Sequence, residues 1–163
     1  MITAYLSLGS NLGDRARHLE EALDCLEAGE VHVARRSSLY ETEPLEFREQ
    51  PWFLNMVAEV ATPLSPHELL SRILEIARKL GRIRVTPKGP RTIDIDILLY
   101  GGLVVNTDEL QIPHPRLAER RFVLEPLAEL APEFRYLLER LDGQMTRKYG
   151  SLKKKPDTGQ ASG

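Results

Sequence analysis

The apolar and polar positions of the first forty residues predict a strand, a helix and a second strand. The apolar run 2–8 predicts the first strand, which ends at a Gly9-Ser10-Asn11 turn. Asp14 can cap the helix, whose apolar positions recur every three or four residues until Gly29 ends it. Residues 31–40 predict the second strand.

The next sixty residues repeat this pattern of strand, helix and strand. Residues 53–61 predict a third strand, with odd-numbered side chains on one face and even-numbered side chains on the other. A second helix begins at Ser65-Pro66 and ends before Gly81. Residues 92–100 are the most strand-like in the chain, and the glycines that follow predict a tight hairpin into residues 103–105.

The order βαββαβ predicts an α+β fold, a ferredoxin-like sandwich with both helices on one face of a sheet. An extra hairpin and C-terminal helices, the latter from about residue 116, are expected to add to it. We expect a single domain over residues 1–150 and a disordered tail over residues 151–163, which hold three lysines and small polar residues. Because this architecture supports many functions, the function depends on particular side chains.

Composition and charge argue against a nucleic-acid-binding protein, a membrane-spanning protein and a disulfide-bonded protein. A net charge of −2 over 163 residues gives no general attraction to nucleic acid. No apolar run approaches the roughly 20 residues of a spanning helix, and the single cysteine, Cys25, fits a reducing compartment. We therefore expect a monomer in the cytoplasm whose partners are small molecules, with no nucleic acid and no membrane.

The segment 89–98 carries the clearest chemical signal. On a strand, Asp94 and Asp96 share one face while isoleucines fill the other, and the two aspartate Cβ atoms lie about 7 Å apart. An isolated Asp-x-Asp pair is usually a solvated strand face, but hard divalent cations also take carboxylate oxygens together with substrate phosphates. The neighbouring residues decide between these two interpretations.

A basic loop precedes the aspartates. Residues 78–91 carry six positive charges and no acid, and Arg82, Arg84, Lys88 and Arg91 lie outside the predicted helix. Guanidinium groups match phosphate oxygens in bidentate geometry. An acidic pair beside a basic loop predicts nucleotide phosphate chemistry with magnesium, and the lack of a Gly-x-x-x-x-Gly-Lys-Ser/Thr motif excludes a P-loop enzyme.

Several motifs along residues 1–132 together resemble one known family. They are Gly9-Ser10-Asn11-Leu12-Gly13, Tyr40-x-Thr42, Gln50-Pro51-x-Phe53-Leu54-Asn55, Leu80-Gly81-Arg82-x-Arg84, Gly89-Pro90-Arg91-Thr92-Ile93-Asp94-Ile95-Asp96-Ile97-Leu98, Ile112-Pro113-His114-Pro115-Arg116 and Arg120-x-Phe122-Val123-Leu124-x-Pro126-Leu127. The chain resembles the 6-hydroxymethyl-7,8-dihydropterin pyrophosphokinases. That resemblance implies transfer of diphosphate from ATP to the reduced hydroxymethylpterin, giving AMP, in folate biosynthesis.

The resemblance also implies roles at the phosphate end of the site. Asp94 and Asp96 would bind two Mg²⁺ ions that bridge the ATP phosphates, and Arg82 and Arg91 would stabilise the diphosphate as it moves. The ATP-binding side chains would be Arg84, Lys88, His114 and Arg120.

For the pterin, the resemblance implies an aromatic sandwich with a polar edge. The ring would stack between Phe53 and Phe122, as planar heterocycles do on aromatic faces. Asn55 would hydrogen-bond the ring edge, because an amide offers both a donor and an acceptor. Backbone groups near Thr42 and Leu45 would complete that edge.

Two alternatives to this enzyme remain open at the level of sequence. Many relatives have an acidic residue where this chain has Ala77, and some have tryptophan in place of Lys88. A degenerate member would therefore bind pterin but bind ATP poorly. A ferredoxin-like binding module would instead use its acidic face and basic loop to hold a partner, without turnover.

Overall fold

The computed structural model describes residues 1–43, 51–80, 92–141 and 146–152. Its strands are β1 Ile2–Ser10, β2 His32–Arg36, β3 Leu39–Thr42, β4 Phe53–Thr62, β5 Asp94–Tyr100, β6 Val105–Asn106, β7 Gln111–Ile112 and β8 Thr146–Gly150. Its α-helices are α1 Arg15–Ala28, α2 Pro66–Leu80, α3 Arg121–Leu130 and α4 Arg135–Leu138, and short 3-10 helices span Leu117–Glu119 and Pro132–Phe134.

The main sheet is antiparallel and has the strand order β5-β1-β4-β3-β8, with β2 also paired to β4. If β2 and β3 are counted as one strand, the element order is βαββαβ, which confirms the predicted ferredoxin-like arrangement. The two helices start as predicted, because Asp14 accepts a hydrogen bond from the Arg17 amide and Ser65 from the Glu68 amide.

The sheet separates two hydrophobic cores. On one face, even-numbered side chains of β1 and β4 and the isoleucines of β5 pack with α1 and α2 in the larger core. On the other face, α3 packs over the sheet through a smaller core, to which the sheet contributes Val57 and Leu98. The predicted alternation is thereby confirmed over β4 and over residues 94–97 of β5, so the odd-numbered positions of β4 lie on the α3 face together with Asp94 and Asp96. The register shifts after Ile97, where Leu98 is an extra residue relative to β1; Leu98 and Leu99 both pack with the smaller core, and Tyr100 lies in the larger core.

The predicted strand 31–40 is interrupted rather than continuous. Arg36 pairs with Ala58 but Tyr40 pairs with Asn55, so β2–β3 carries an extra residue relative to β4. At the interruption, the Ser37 hydroxyl accepts the Val57 amide hydrogen at 2.9 Å and replaces a backbone acceptor. The break is therefore a β-bulge whose backbone groups remain satisfied by a side chain.

An extra hairpin is present, but its pairing differs from the prediction. β5 ends at Tyr100, and residues 103–104 lie outside any strand and are exposed. β6 pairs with β7 in a separate two-stranded sheet. Leu110 and Ile112 are buried in the larger core, which fixes this hairpin to the domain at β7 rather than to the edge of β5.

The C-terminal part adds one strand that the sequence pattern did not predict. β8 pairs with β3 at the edge of the sheet, and Leu152 packs half-buried against the larger core. Residues 153–163 lie outside the described residues, so the disordered tail stays a prediction. Within the described ranges, no helix has both the length and the apolar character needed to cross a membrane.

Candidate active site

Asp94 and Asp96 lie at the start of β5, on the face of the sheet that carries α3. Asp94 is half-buried and Asp96 is exposed, whereas Ile95 between them is buried in the larger core. On the neighbouring strand β1, Gly9 pairs with Asp94 and Ser7 pairs with Asp96. The predicted carboxylate pair therefore exists at the end of the sheet where β5 begins.

Asn55 lies on the other side of β1, at the same level of the sheet. Gly9 pairs with Asn55 as well as with Asp94, so the three residues form one row across β5, β1 and β4. Asn55 is only 3% exposed, and its Nδ2 donates to Thr42 Oγ1 at 2.7 Å. That hydrogen bond fixes the amide orientation, which leaves Oδ1 on the side of Gly9.

Gly9 lies so close to the Asn55 side chain that a larger residue would not fit at this position. A Cβ on Gly9 would lie 2.5 Å from Asn55 Oδ1 and 3.6 Å from the Phe53 ring. The sequence pattern placed Gly9 in a turn, but it is a residue of β1, which continues to Ser10. A glycine inside a strand often marks close approach of other groups, and that signal identifies Gly9 as the residue that makes room for the Asn55 amide.

The two phenylalanines predicted to stack on the pterin are both half-buried. Phe53 is the first residue of β4 and shares the face of Asn55. Phe122 lies near the start of α3, packs partly against the smaller core, and has the Arg120 guanidinium 5.4 Å from its ring centroid. Stacking of a ligand between the two rings stays a prediction.

Arg120 is a half-buried cation near the carboxylate pair. Burial lowers its pKa and Arg116 lowers it further, while Asp96 and Asp94 act in the opposite direction. Its Nε is buried and has no hydrogen-bond partner among the described residues. This one donor is shielded from water and available to an anionic ligand, which would not have to displace water from it.

His114 adds a hydrogen-bonding ring to the side of the site that carries Arg120. Its amide donates to the Leu98 carbonyl at 3.0 Å, which holds the loop against β5. Its Nδ1 accepts the Arg116 amide hydrogen at 3.2 Å, so the neutral ring carries its proton on Nε2. Burial and the charges of Arg120 and Arg116 lower the pKa of His114, which favours this neutral form.

Five predicted site residues lie outside the described residues, and their roles stay predictions. They are Leu45, Arg82, Arg84, Lys88 and Arg91. The structure brings the others together at one end of the sheet through β1, β3, β4, β5 and the loop before α3. Ala77, the departure noted in the sequence, is half-buried on α2 against the larger core.

The family model described as 7,8-dihydro-6-hydroxymethylpterin-pyrophosphokinase (HPPK) matches residues 5–132. The chain belongs to this family. The HPPK relatives include the 2-amino-4-hydroxy-6-hydroxymethyldihydropteridine pyrophosphokinase of Bacillus subtilis, 47% identical over 131 residues, which cover 80% of this chain and 78% of that protein. The enzyme of the same name from Methylorubrum extorquens is 47% identical over 134 residues, covering 82% of this chain and 85% of that protein.

Other HPPK relatives are much longer proteins. The folic acid synthesis protein fol1 of Pneumocystis carinii is 45% identical over 127 residues, which cover 78% of this chain but only 17% of that protein. The crystal structure of Plasmodium falciparum HPPK-DHPS with pterin and p-hydroxybenzoate has a TM-score of 0.67 at 18% identity, covering 85% of this chain and 41% of that chain. At that identity, the likeness supports the fold, which agrees with the ferredoxin-like arrangement described above.

The pKa of His114 gives a test of its burial. A lowered folded-state pKa means that the unfolded chain binds the proton more tightly, so stability is present above about pH 6.5 and is lost as the pH falls below it. We expect the melting temperature of the wild type to fall by about 2 °C more than that of His114→Gln between about pH 7 and pH 5. Differential scanning calorimetry at several pH values measures this difference.

The matched control is the exposed histidine at the start of α2, His67. His67→Gln measures what the loss of a solvent-exposed imidazole does by itself. Identical pH dependence in wild type and His114→Gln would show that His114 titrates in the folded protein as it does in the unfolded chain.

Proposed function

We propose that this chain transfers diphosphate from ATP to 6-hydroxymethyl-7,8-dihydropterin, giving AMP and the pterin diphosphate for folate biosynthesis. The observation that carries the proposal is the row formed by Asp94, Gly9 and Asn55 across three adjacent strands. It places a carboxylate pair suited to phosphate-bound cations beside a buried amide suited to a heterocycle edge. Family membership supports the same reaction.

The carboxylate pair fits magnesium. Asp94 and Asp96 offer hard oxygen ligands at alternate positions of one strand face, and Mg²⁺ commonly takes one or two carboxylates together with substrate phosphates. We propose that these two side chains hold two Mg²⁺ ions. When bound, the ions neutralise charge on the phosphate oxygens and help to align the reacting groups.

The pterin end orients the acceptor. The hydrogen bond from Asn55 to Thr42 holds the amide in place before the pterin binds, so little rotational freedom is lost on binding. Phe53 presents its ring on the same face, and Phe122 would cover the other side of the pterin. The backbone near Thr42 and Leu45 completes the ring edge in this proposal.

The ATP end supplies positive charge. Arg120 would meet the phosphates with its buried Nε–H, which has no partner among the described residues, and His114 would offer its Nε2 hydrogen as a donor. Arg84 and Lys88 would bind ATP from the basic loop, and Arg82 and Arg91 would stabilise charge that develops during transfer. The hydroxymethyl oxygen attacks the β-phosphorus and releases its proton to solvent, the bond from that phosphorus to the α–β bridging oxygen breaks, and AMP leaves with that oxygen.

The proposal extends to cellular context. The single cysteine fits the cytoplasm, and a net charge of −2 fits a protein that does not bind nucleic acid. We further propose a monomer whose partners are small molecules and that does not associate with a membrane. Size-exclusion chromatography with light scattering tests the monomer directly.

Phosphorus NMR of the reaction products tests the function. ATP, magnesium and the reduced hydroxymethylpterin should give AMP and a pterin diphosphate when the protein is added. A 6-methyl analogue, which has no hydroxyl nucleophile, is the matched control and should give no AMP. Formation of ADP would mean attack on the γ-phosphorus and contradict the proposal, while pterin binding without turnover would favour the degenerate alternative.

A further inference from the structure

The edge strand β8 contacts the residue before Phe53 through a group of side chains that we name the Trp52 cluster. It consists of Arg15, Glu41, Trp52 and Arg147. The family match ends at residue 132, so Arg147 and the rest of β8 lie beyond it. Trp52 directly precedes Phe53 and is the single tryptophan of the chain.

Two arginines hold Trp52 by its backbone and by its ring. Arg15 Nη1 donates to the Trp52 carbonyl at 2.9 Å, and the Arg147 guanidinium lies 4.9 Å from the Trp52 ring centroid. Glu41 joins the arginines, since one of its oxygens accepts from Arg15 at 2.7 Å and the other from Arg147 at 2.8 Å. Asn11 Nδ2 donates to the preceding carbonyl, that of Pro51, at 3.1 Å.

The ion pairs of the cluster centre on a carboxylate, that of Glu41, which is largely shielded from solvent. The Glu41 side chain is only 12% exposed. Burial by itself raises the pKa of Glu41, but the hydrogen bonds and charges of Arg15 and Arg147 outweigh that effect and lower the pKa. Glu41 is therefore ionised at neutral pH, and one carboxylate links α1 to β8.

β8 also contacts the opposite side of the sheet, because side chains alternate along a strand. Thr146 Oγ1 donates to Glu125 of α3 at 3.2 Å, and Lys148 Nζ lies 3.9 Å from Glu129 of α3. In the register of the sheet, Thr146 pairs with Thr42, which in turn pairs with Phe53. β8 is thus in line with the residues proposed to bind the pterin.

We propose that Arg147 is a positioning residue for the pterin, which acts by fixing Trp52 and hence the strand end that presents Phe53. This inference rests on the function proposed above and adds a structural requirement to it. Arg147 does not touch the pterin in this proposal. Its contribution passes through Trp52, so the two side chains should act as one unit.

The first test compares substrate affinities by isothermal titration calorimetry. Arg147→Gln should raise the dissociation constant of the reduced hydroxymethylpterin about fivefold, the size expected when a cation–π contact and its ion pair are lost. The dissociation constant of ATP should stay within about twofold. Arg147→Lys, which keeps the charge, should recover part of the pterin affinity.

The matched control is Lys148→Gln, which removes one positive charge from the next position of the same strand. It should leave both dissociation constants unchanged. If Arg147→Gln binds the pterin as the wild type does, or weakens pterin and ATP equally, the positioning role is overturned.

A double-mutant cycle tests whether Arg147 acts through Trp52. Trp52→Leu removes the ring and should weaken pterin binding to a similar extent, and adding Arg147→Gln to it should cause little further loss. Additive losses would overturn the coupling.

Pterin binding and AMP formation by the wild type distinguish a failure of this inference from a failure of the proposed function. A wild type that does not bind the reduced hydroxymethylpterin would contradict the function. A wild type that binds it and forms AMP, while Arg147→Gln binds it equally well, would contradict only the role of Arg147.

Discussion

Asp96→Asn should reduce turnover of ATP and the reduced hydroxymethylpterin about a thousandfold, which corresponds to about 4 kcal/mol of transition-state stabilisation. The amide keeps the size of the side chain but removes the charge that would hold a divalent cation against the phosphates. Because Asp96 is exposed, the melting temperature should change by no more than about 2 °C. Steady-state kinetics at several magnesium concentrations and calorimetric melting measure both effects.

A second aspartate provides the control for Asp96→Asn. Asp108 lies in the turn between β6 and β7, and Asp108→Asn removes the same charge far from the carboxylate pair in sequence. It should keep wild-type turnover. If Asp96→Asn retained more than about a tenth of wild-type activity, the assignment of the metal to this strand would be wrong.

Gly9→Ala should weaken pterin binding about tenfold to a hundredfold, because a displaced Asn55 amide would leave polar groups at the ring edge unpaired, at a cost of about 1–3 kcal/mol. The new Cβ would lie 2.5 Å from Asn55 Oδ1, so the amide has to move. Asn55 is buried and hydrogen-bonded to Thr42, and it has no room to move without losing that bond. Calorimetric titration with the reduced hydroxymethylpterin measures the loss.

Gly102→Ala is the matched control for Gly9→Ala. A Cβ at Gly102 would have nothing within 4 Å, so the same change of residue should leave pterin affinity and turnover as they are. Equal affinities in Gly9→Ala and wild type would mean that Asn55 does not need its present position to bind the ligand.

The sequence predicted the parts of the fold that depend on local periodicity. β4, and β5 as far as Ile97, alternate between a face in the larger core and the site face, so the pattern of their side chains assigns both faces correctly there. The start of α1 was also predicted, because Asp14 is a strong N-terminal cap directly before an amphipathic segment. Both signals lie within a few residues of the feature that they predict.

Features that depend on distant contacts were not predicted. The bulge at Ser37 depends on a hydrogen bond to Val57, twenty positions away. The sequence of β8 is mostly polar and does not have the apolar alternation of a strand. It is stabilised as an edge strand by pairing with β3 and by the contact of Arg147 with Glu41, 106 positions earlier. The β6–β7 pairing follows from burial of Leu110 and Ile112 in a core that the sequence does not display.

In the candidate site, too, some residues could be predicted from local sequence motifs and others depend on contacts between distant parts of the chain. The aspartate pair, Asn55 and His114 lie in motifs that are specific enough to predict their place. The importance of Gly9 was missed because a glycine beside Ser10 and Asn11 also has turn chemistry. Only the register of β1 against β4 shows that Gly9 faces Asn55.

The row across β5, β1 and β4 has a consequence for how this site can change over evolution. Asp94 and Asn55 flank the same residue of β1, so their backbones are two interstrand spacings apart, about 10 Å. That separation is set by hydrogen bonds between main chains, which every amino acid except proline can donate and accept. Exchange of core side chains that preserves the strand register therefore leaves the span between the two halves of the site unchanged, whereas an insertion within β5, β1 or β4 would shift that register.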